Sequence, residues 1–243
     1  MSNIRIAMWS GPRNISTAMM RAFENRPDTE VWDEPMYGHY LFQTGIGHPG
    51  AAEVIADQGT DWRAIARQCN GNSPNDAPVF YQKHMTMHLL PDMDRKWLTP
   101  LTNCFLIRQP DQVVASYGAV RPDLTLQDIG FTQQAALFDY LVETTHQTPL
   151  VVDSRDFLLN PRAMLGAMCE ALGITFFEEM LNWPAGQRAS DGVWGTYWYD
   201  AVWNSTGFAP YRHKPLSLSP RFQKLADAAH PHYEKLYRHR LIA

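Results

Sequence analysis

The chain has 243 residues, 45% apolar and 19% charged, and its 21 Lys+Arg against 25 Asp+Glu leave a formal net charge of −4. That is enough apolar residue for a substantial core and too little charge for a disordered chain. A mildly acidic total excludes general electrostatic attraction to duplex nucleic acid or to an anionic membrane surface, so an anionic ligand has to be held by local cations and backbone N–H groups.

Ile4–Ser10 is a short, mostly apolar run that closes on Gly11-Pro12, the pattern of a buried strand entering a tight turn. Ile15, Met19, Met20 and Phe23 then fall at helical spacing over Ser16–Asn25, and Pro27 ends the helix. Glu30–Asp33 reads as a second strand. Residues 36–73 are rich in Gly and polar residues and read as an insertion with one helix near Trp62–Cys69. Val79–Lys83, Asn103–Arg108 and Leu150–Asp153 are further strands. Helical patterns follow over Asp111–Tyr117, with Asp111 as N-cap, over Leu126–Thr145, and over Pro161–Leu172, closed by Gly173. Residues 183–215 are dense in aromatics, either as core or as a cover that stacks on a bound ring. Strands alternating with helices predict a doubly wound parallel α/β sheet of about five strands in a single domain over residues 1–243, with ligands bound beyond the strands' carboxyl ends.

The three cysteines, Cys69, Cys104 and Cys169, are widely spaced and suit a reducing compartment better than a disulfide framework or a zinc site. No apolar run approaches the roughly 20 residues that span a bilayer. The expectation is a soluble cytoplasmic protein without a nucleic-acid or membrane partner. Its oligomeric state is left open.

The turn after the first strand reads Ser10-Gly11-Pro12-Arg13-Asn14-Ile15-Ser16-Thr17. A helix N-terminus points unsatisfied N–H groups at whatever lies before it, Arg13 adds a guanidinium suited to phosphate, and Ser16 and Thr17 add hydroxyls. Gly-Lys-Ser/Thr is missing, so this is not the usual magnesium-nucleotide loop. The segment resembles the phosphate loop of the sulfotransferase family, where bacterial members carry Pro-Arg-Ser-Gly-Thr-Ser or similar. It departs at Asn14 and at Ile15, which stands where the family has a glycine. A second match is Phe105-Leu106-Ile107-Arg108-Gln109-Pro110, followed by Ser116 eight residues after Arg108. In the family, the corresponding Arg and Ser bind the 3′-phosphate of 3′-phosphoadenosine-5′-phosphosulfate (PAPS). Leu150–Phe157, Pro161 and Leu172-Gly173 continue the similarity in order, so it spans roughly residues 4–175.

The resemblance implies a P-loop-like fold and transfer of a sulfuryl group from PAPS to a hydroxyl or amine of a small-molecule acceptor, with no metal. Arg13, Asn14, Ile15, Ser16 and Thr17 would hold the 5′-phosphosulfate, and Arg108 with Ser116 the 3′-phosphate. Lys83-His84-Met85-Thr86-Met87-His88-Leu89-Leu90-Pro91 is similar to the family's Lys-Thr-His…Leu-Leu-Pro segment. Counting back from Leu89-Leu90-Pro91 puts His84 on the catalytic base and leaves Lys83 to neutralise the leaving oxygen. Glu34, in Asp33-Glu34-Pro35, is the rival base. Gly192-Val193-Trp194-Gly195 resembles the family's C-terminal clamp, but the preceding basic pair is Ser190-Asp191 here. Either the 3′-phosphate lacks that contact, or Arg188, Arg212 or Lys214 replaces it.

Two other patterns lead elsewhere. Gly45-Ile46-Gly47-His48-Pro49-Gly50 matches the dinucleotide fingerprint literally but follows no credible strand. His84, His88 and Asp92 recur at metal-like spacing, and Pro91 interrupts the helix they would need. The alternative functions are a P-loop kinase using ATP and a non-catalytic nucleotide-binding protein that keeps the sulfotransferase fold.

Overall fold

The computed structural model describes residues 3–213 and 216–243. β1 (Ile4–Ser10), β2 (Thr29–Asp33), β3 (Val79–Met85), β4 (Thr102–Ile107) and β5 (Leu150–Asp153) form a five-stranded sheet in the order β2-β3-β1-β4-β5. Every neighbouring pair is parallel. Such strands are covered on both faces and bury both alternating sets of side chains, so β1 and β4 are mostly apolar, while β3 is buried throughout although it carries Gln82, Lys83 and His84.

α1 (Ser16–Glu24) follows β1. α2 (Tyr37–Thr44), α3 (Ala51–Gln58) and α4 (Trp62–Cys69) lie between β2 and β3. α5 (Pro110–Gly118) and α6 (Phe131–Thr145) connect β4 to β5. After β5 come α7 (Ser154–Leu159), α8 (Pro161–Ala171), the single turns α9 (Gly195–Trp198) and α10 (Asp200–Trp203), and the long α11 (Pro220–Tyr237). On one face of the sheet Met8, Tyr81 and Leu106 pack with Met19 and Phe23 of α1 and Met168 of α8. On the other, Ala7, Trp9 and Phe105 pack with Val114 of α5, Phe138 of α6 and Tyr233 of α11. The three cysteines are buried and unpaired. No helix among the described residues is long and apolar enough to cross a membrane.

The sequence expectations need correction at several elements. α6 starts at Phe131 rather than Leu126, because Gly130 holds a left-handed φ of 73° that no helix continues through. α5 is capped at Gln109, so Asp111 falls in its first turn, where the carboxylate meets His230 of α11 at 2.6 Å. Residues 36–73 hold three helices rather than one. Tyr37 and Leu41 of α2 and Val54 of α3 bury with Met85, Met87 and Trp194 in a small satellite core. α11 starts at a Ser219 cap with Pro220 in its first turn, and it buries Ala226, Ala229, Tyr233 and Leu236 despite an internal Pro231.

Candidate active site

The carboxyl ends of the strands open on a cleft of about 370 Å³. Its floor begins at Gly11, where a Cβ would lie 2.8 Å from the Ile129 carbonyl oxygen, so only glycine lets the two backbones pass. The left-handed residue of the following loop is Arg13, at φ 55°, whereas Ile15 sits at φ −88°. The position therefore needs no glycine, and the Ile15 side chain packs on the core beneath α1. The Asn14 amide donates to the Leu106 carbonyl at 3.0 Å while its Oδ1 accepts the Ile15 N–H at 2.9 Å, which ties the loop to the tip of β4. α1 starts at Ser16 without a side-chain cap, so its first N–H groups and its positive dipole end are presented where Ser16 and Thr17 line the cleft.

Arg13 and Arg108 line the same cleft. Arg13 Nε donates to Ser116 Oγ at 3.0 Å. Arg108 donates to the Arg13 carbonyl at 2.5 Å and to Gln112 Oε1 at 3.1 Å. Among the described residues, neither guanidinium pairs with a carboxylate. Burial, and then the like charge of Arg13, pull Arg108 below its ordinary value. Two neighbouring cations without counter-ions, beside a helix N-terminus, make a site for an anion.

The opposite wall is built from β2 and β3. Their register sets Asp33 beside Lys83. Lys83 Nζ donates to Asp33 Oδ1 at 2.8 Å, to Glu34 Oε1 at 2.5 Å and to the Tyr199 hydroxyl at 2.7 Å, which engages all three ammonium protons. Tyr199 in turn donates to Asp33 Oδ2 at 2.7 Å, and Trp194 Nε1 donates to Tyr199 at 3.0 Å. Glu34 sits just past β2 at φ 40°, a left-handed conformation rarely held by glutamate. Burial raises its carboxyl above the ordinary value, Lys83 opposes that shift and Asp33 adds to it. Glu34 Oε2 lies 4.0 Å from His88 Nδ1. His88 stacks on Tyr37 and Tyr40, each at 4.7 Å, and burial holds it well below the usual imidazole range.

His84 is not brought to this cleft. Side chains alternate along a strand, so Lys83 and its neighbour face opposite sides of the sheet. His84 pairs with Trp9 across the ladder and stacks on its indole at 4.3 Å, with Nε2 3.2 Å from Gln82 Oε1. Burial drives it down to about 3, so it stays neutral. His88, by contrast, lies in the 3₁₀ turn Thr86–His88 and lines the cleft with Glu34 and Lys83.

Ser190-Asp191, in place of the basic pair, is bound to α1. Asp191 pairs with Arg21 at 2.6 Å, and Ser190 donates to Glu24. Arg188 lies 4.0 Å from Glu24, Arg212 is exposed, and Lys214 lies outside the described residues. The aromatic stretch divides: Trp183 is buried in the core, while Trp194, Trp198, Tyr199 and Phe208 line the cleft. Gly45–Gly50 joins α2 to α3 rather than a strand to a helix, and it brings His48 to the cleft.

The strand tips of this parallel α/β sheet thus set an anion cradle opposite a buried carboxylate. The sulfotransferase domain model matches residues 4–240, and the chain belongs to that family. It is 30% identical over 242 residues to branched-chain-amino-acid aminotransferase-like protein 1 of Arabidopsis thaliana, covering 96% of this chain and 42% of that protein. The chain thus spans about two-fifths of the length of the curated relatives it matches. Among solved structures, it resembles the sulfotransferase domain from the Synechococcus PCC 7002 olefin synthase, with a TM-score of 0.56, 19% identity and 94% and 95% of the two chains covered. It also resembles a sulfotransferase from Alicyclobacillus acidocaldarius, with a TM-score of 0.60, 11% identity and 100% and 98% covered. These two likenesses show the fold.

Proposed function

We propose that the domain transfers a sulfuryl group from PAPS to a hydroxyl or amine of a small-molecule acceptor. The observation that carries this reading is the single cleft with Arg13, Arg108 and the uncapped α1 N-terminus on one side and the Glu34 carboxylate on the other. PAPS has an anionic group at each end, and a terminal phosphate carries about −1.5 to −2 charges near neutral pH, so it suits two adjoining guanidinium groups. Arg13, Ser16, Thr17 and the backbone of Asn14 and Ile15 hold the phosphosulfate end. Arg108 and Ser116 hold the 3′-phosphate. Bound there, PAPS supplies a sulfuryl group on a good leaving group.

Glu34 is the base in this reading. Lys83 grips Oε1, so Oε2 faces the cleft and can take the acceptor's proton. Lys83 serves chiefly to hold Glu34, because its three protons already have acceptors.

Calorimetry with 3′,5′-adenosine bisphosphate and with ATP tests the donor site. Binding of the bisphosphate is expected; binding of ATP alone would replace this reading with a P-loop kinase. A sulfate-transfer screen over hydroxyl and amine acceptors separates an enzyme from a non-catalytic nucleotide-binding protein. Arg108→Ala should weaken the bisphosphate by roughly 10- to 100-fold, the worth of charge-assisted hydrogen bonds. The same change should barely affect 5′-AMP, and equal losses for both nucleotides would remove Arg108 from the 3′-phosphate.

A further inference from the structure

Tyr37, the first residue of α2, lines the cleft beside Glu34 and stacks on His88. Its hydroxyl lies 2.8 Å from His48 Nδ1, and His48 Nε2 lies 2.9 Å from Arg121 Nη1. This chain of contacts has a direction. A guanidinium has donors and no acceptor, so His48 Nε2 must be the bare nitrogen that accepts from Arg121. In a neutral imidazole the proton then sits on Nδ1, which donates to the Tyr37 oxygen. Burial and the Arg121 charge both hold His48 below its ordinary value, which keeps it neutral.

A phenolic proton prefers the plane of its ring, where the oxygen offers two positions. The His48 N–H takes one. The Tyr37 proton is therefore turned away from His48, on an oxygen that the Trp198 side chain also approaches. Burial, reinforced by nearby Glu34, raises the phenol above its ordinary value, so Tyr37 keeps that proton. A second polar group here is also unused: His88 Nδ1 is buried, has no hydrogen-bond partner among the described residues, and lies 4.0 Å from Glu34 Oε2. The wall thus offers one oriented O–H donor beside one carboxylate oxygen.

That pair matches a hydroxyl group, which has a lone pair to accept from Tyr37 and a proton to give Glu34. It mismatches an ammonium, which has protons only. The Asp33, Glu34 and Lys83 charges sum to a net negative wall that attracts an ammonium. An alkylamine stays protonated near neutral pH, however, and in that form has no lone pair with which to attack. We propose that the acceptor carries an uncharged hydroxyl, and that Tyr37 positions it by donating to the hydroxyl oxygen while Glu34 receives the hydroxyl's own proton.

The assignment deepens the sulfuryl-transfer reading and rests on it for the chemical step. In that step Glu34 takes the proton as the acceptor oxygen bonds to sulfur. The bond from sulfur to the phosphate oxygen breaks, and its electron pair stays on that oxygen, beside Arg13. Tyr37 remains protonated throughout and acts as a positioning residue.

Two measurements on the full chain test this. Nitrogen-15 NMR of the His48 ring should show the neutral tautomer protonated at Nδ1; protonation at Nε2 instead would overturn the wiring. Calorimetry near pH 7 with 2-(2-naphthyl)ethanol and its amine counterpart, 2-(2-naphthyl)ethylamine, tests the acceptor class. Tyr37→Phe, which keeps the stacked ring, should weaken the alcohol about five- to tenfold with little effect on the ammonium. Equal losses for both probes, an alcohol affinity unaffected by Tyr37→Phe or no binding of the alcohol would each overturn the proposal. Titrating 3′,5′-adenosine bisphosphate into the same samples reports on the donor site separately. Its failure would sink the sulfuryl-transfer reading while leaving the tautomer and the Tyr37 effect on the alcohol standing.

Discussion

Glu34→Gln is expected to lower kcat by about 10²- to 10⁴-fold, the range typical of a lost general base. Affinity for 3′,5′-adenosine bisphosphate should stay nearly unchanged, because Glu34 stands on the wall opposite Arg13 and Arg108. Glutamine keeps an oxygen for Lys83, so the network around Asp33 survives and the loss can be read as chemistry. In the unmodified protein only ionised Glu34 can accept a proton. The rate should therefore rise with pH through the Glu34 titration, and burial places that limb above the ordinary carboxylate value. Single-turnover rates across pH check this, and the limb should vanish in the variant. His84→Ala is the control. It removes a ring stacked on Trp9 and should lower stability more than turnover. Glu34→Gln at full activity, with a well-folded His84→Ala inactive, would hand the role to His84.

Lys83→Met should destabilise the fold by about 3–5 kcal/mol near neutral pH, the loss that follows when one partner of a buried ion pair is removed. Asp33 and Glu34 would then share a buried corner with no cation between them, and Tyr199 would keep only part of its bonding. The pH dependence has a definite sign. Lys83 is the main influence holding the Glu34 carboxyl down against burial, so without it that carboxyl rises further. A carboxyl raised in the folded state favours folding at low pH and loses that contribution as pH climbs through its folded-state value. The deficit should therefore be largest at neutral pH and shrink on acidification. Urea midpoints at pH 7 and pH 5 measure it. A deficit below about 1 kcal/mol, the scale of an exposed ion pair, would mean that the corner is far better solvated than its burial indicates.

The sheet was legible because its strands are short and bounded by Gly or Pro, with all but the edge strand β2 largely buried, and β1 and β5 fall at their expected limits. The meeting of Arg13 and Arg108 in one cleft was legible too, since Arg108 directly follows β4 and Arg13 stands in the turn after β1. The base was harder to place. Counting back from Leu89-Leu90-Pro91 ignores strand parity, and parity alone separates Lys83 from His84. His88 sits past the end of β3, in a tight turn where an alternation of two no longer applies. α2 and α3 were hidden among glycines and polar residues that read as loop. α11 has a polar exterior and an internal proline that mask its buried stripe. Tyr199 is 116 residues from Lys83, and no local pattern announces such a partner.

The Tyr199–Asp33 hydrogen bond joins positions 166 residues apart. On a ribosome, the Arg13 loop and the strand and helix bearing Arg108 and Ser116 are synthesised well before Tyr199 emerges. A growing chain would therefore hold Arg13 and Arg108 while Lys83 still lacked one of its three anchors. The Lys83 corner is thus completed only after Tyr199 emerges, late in the domain's own synthesis.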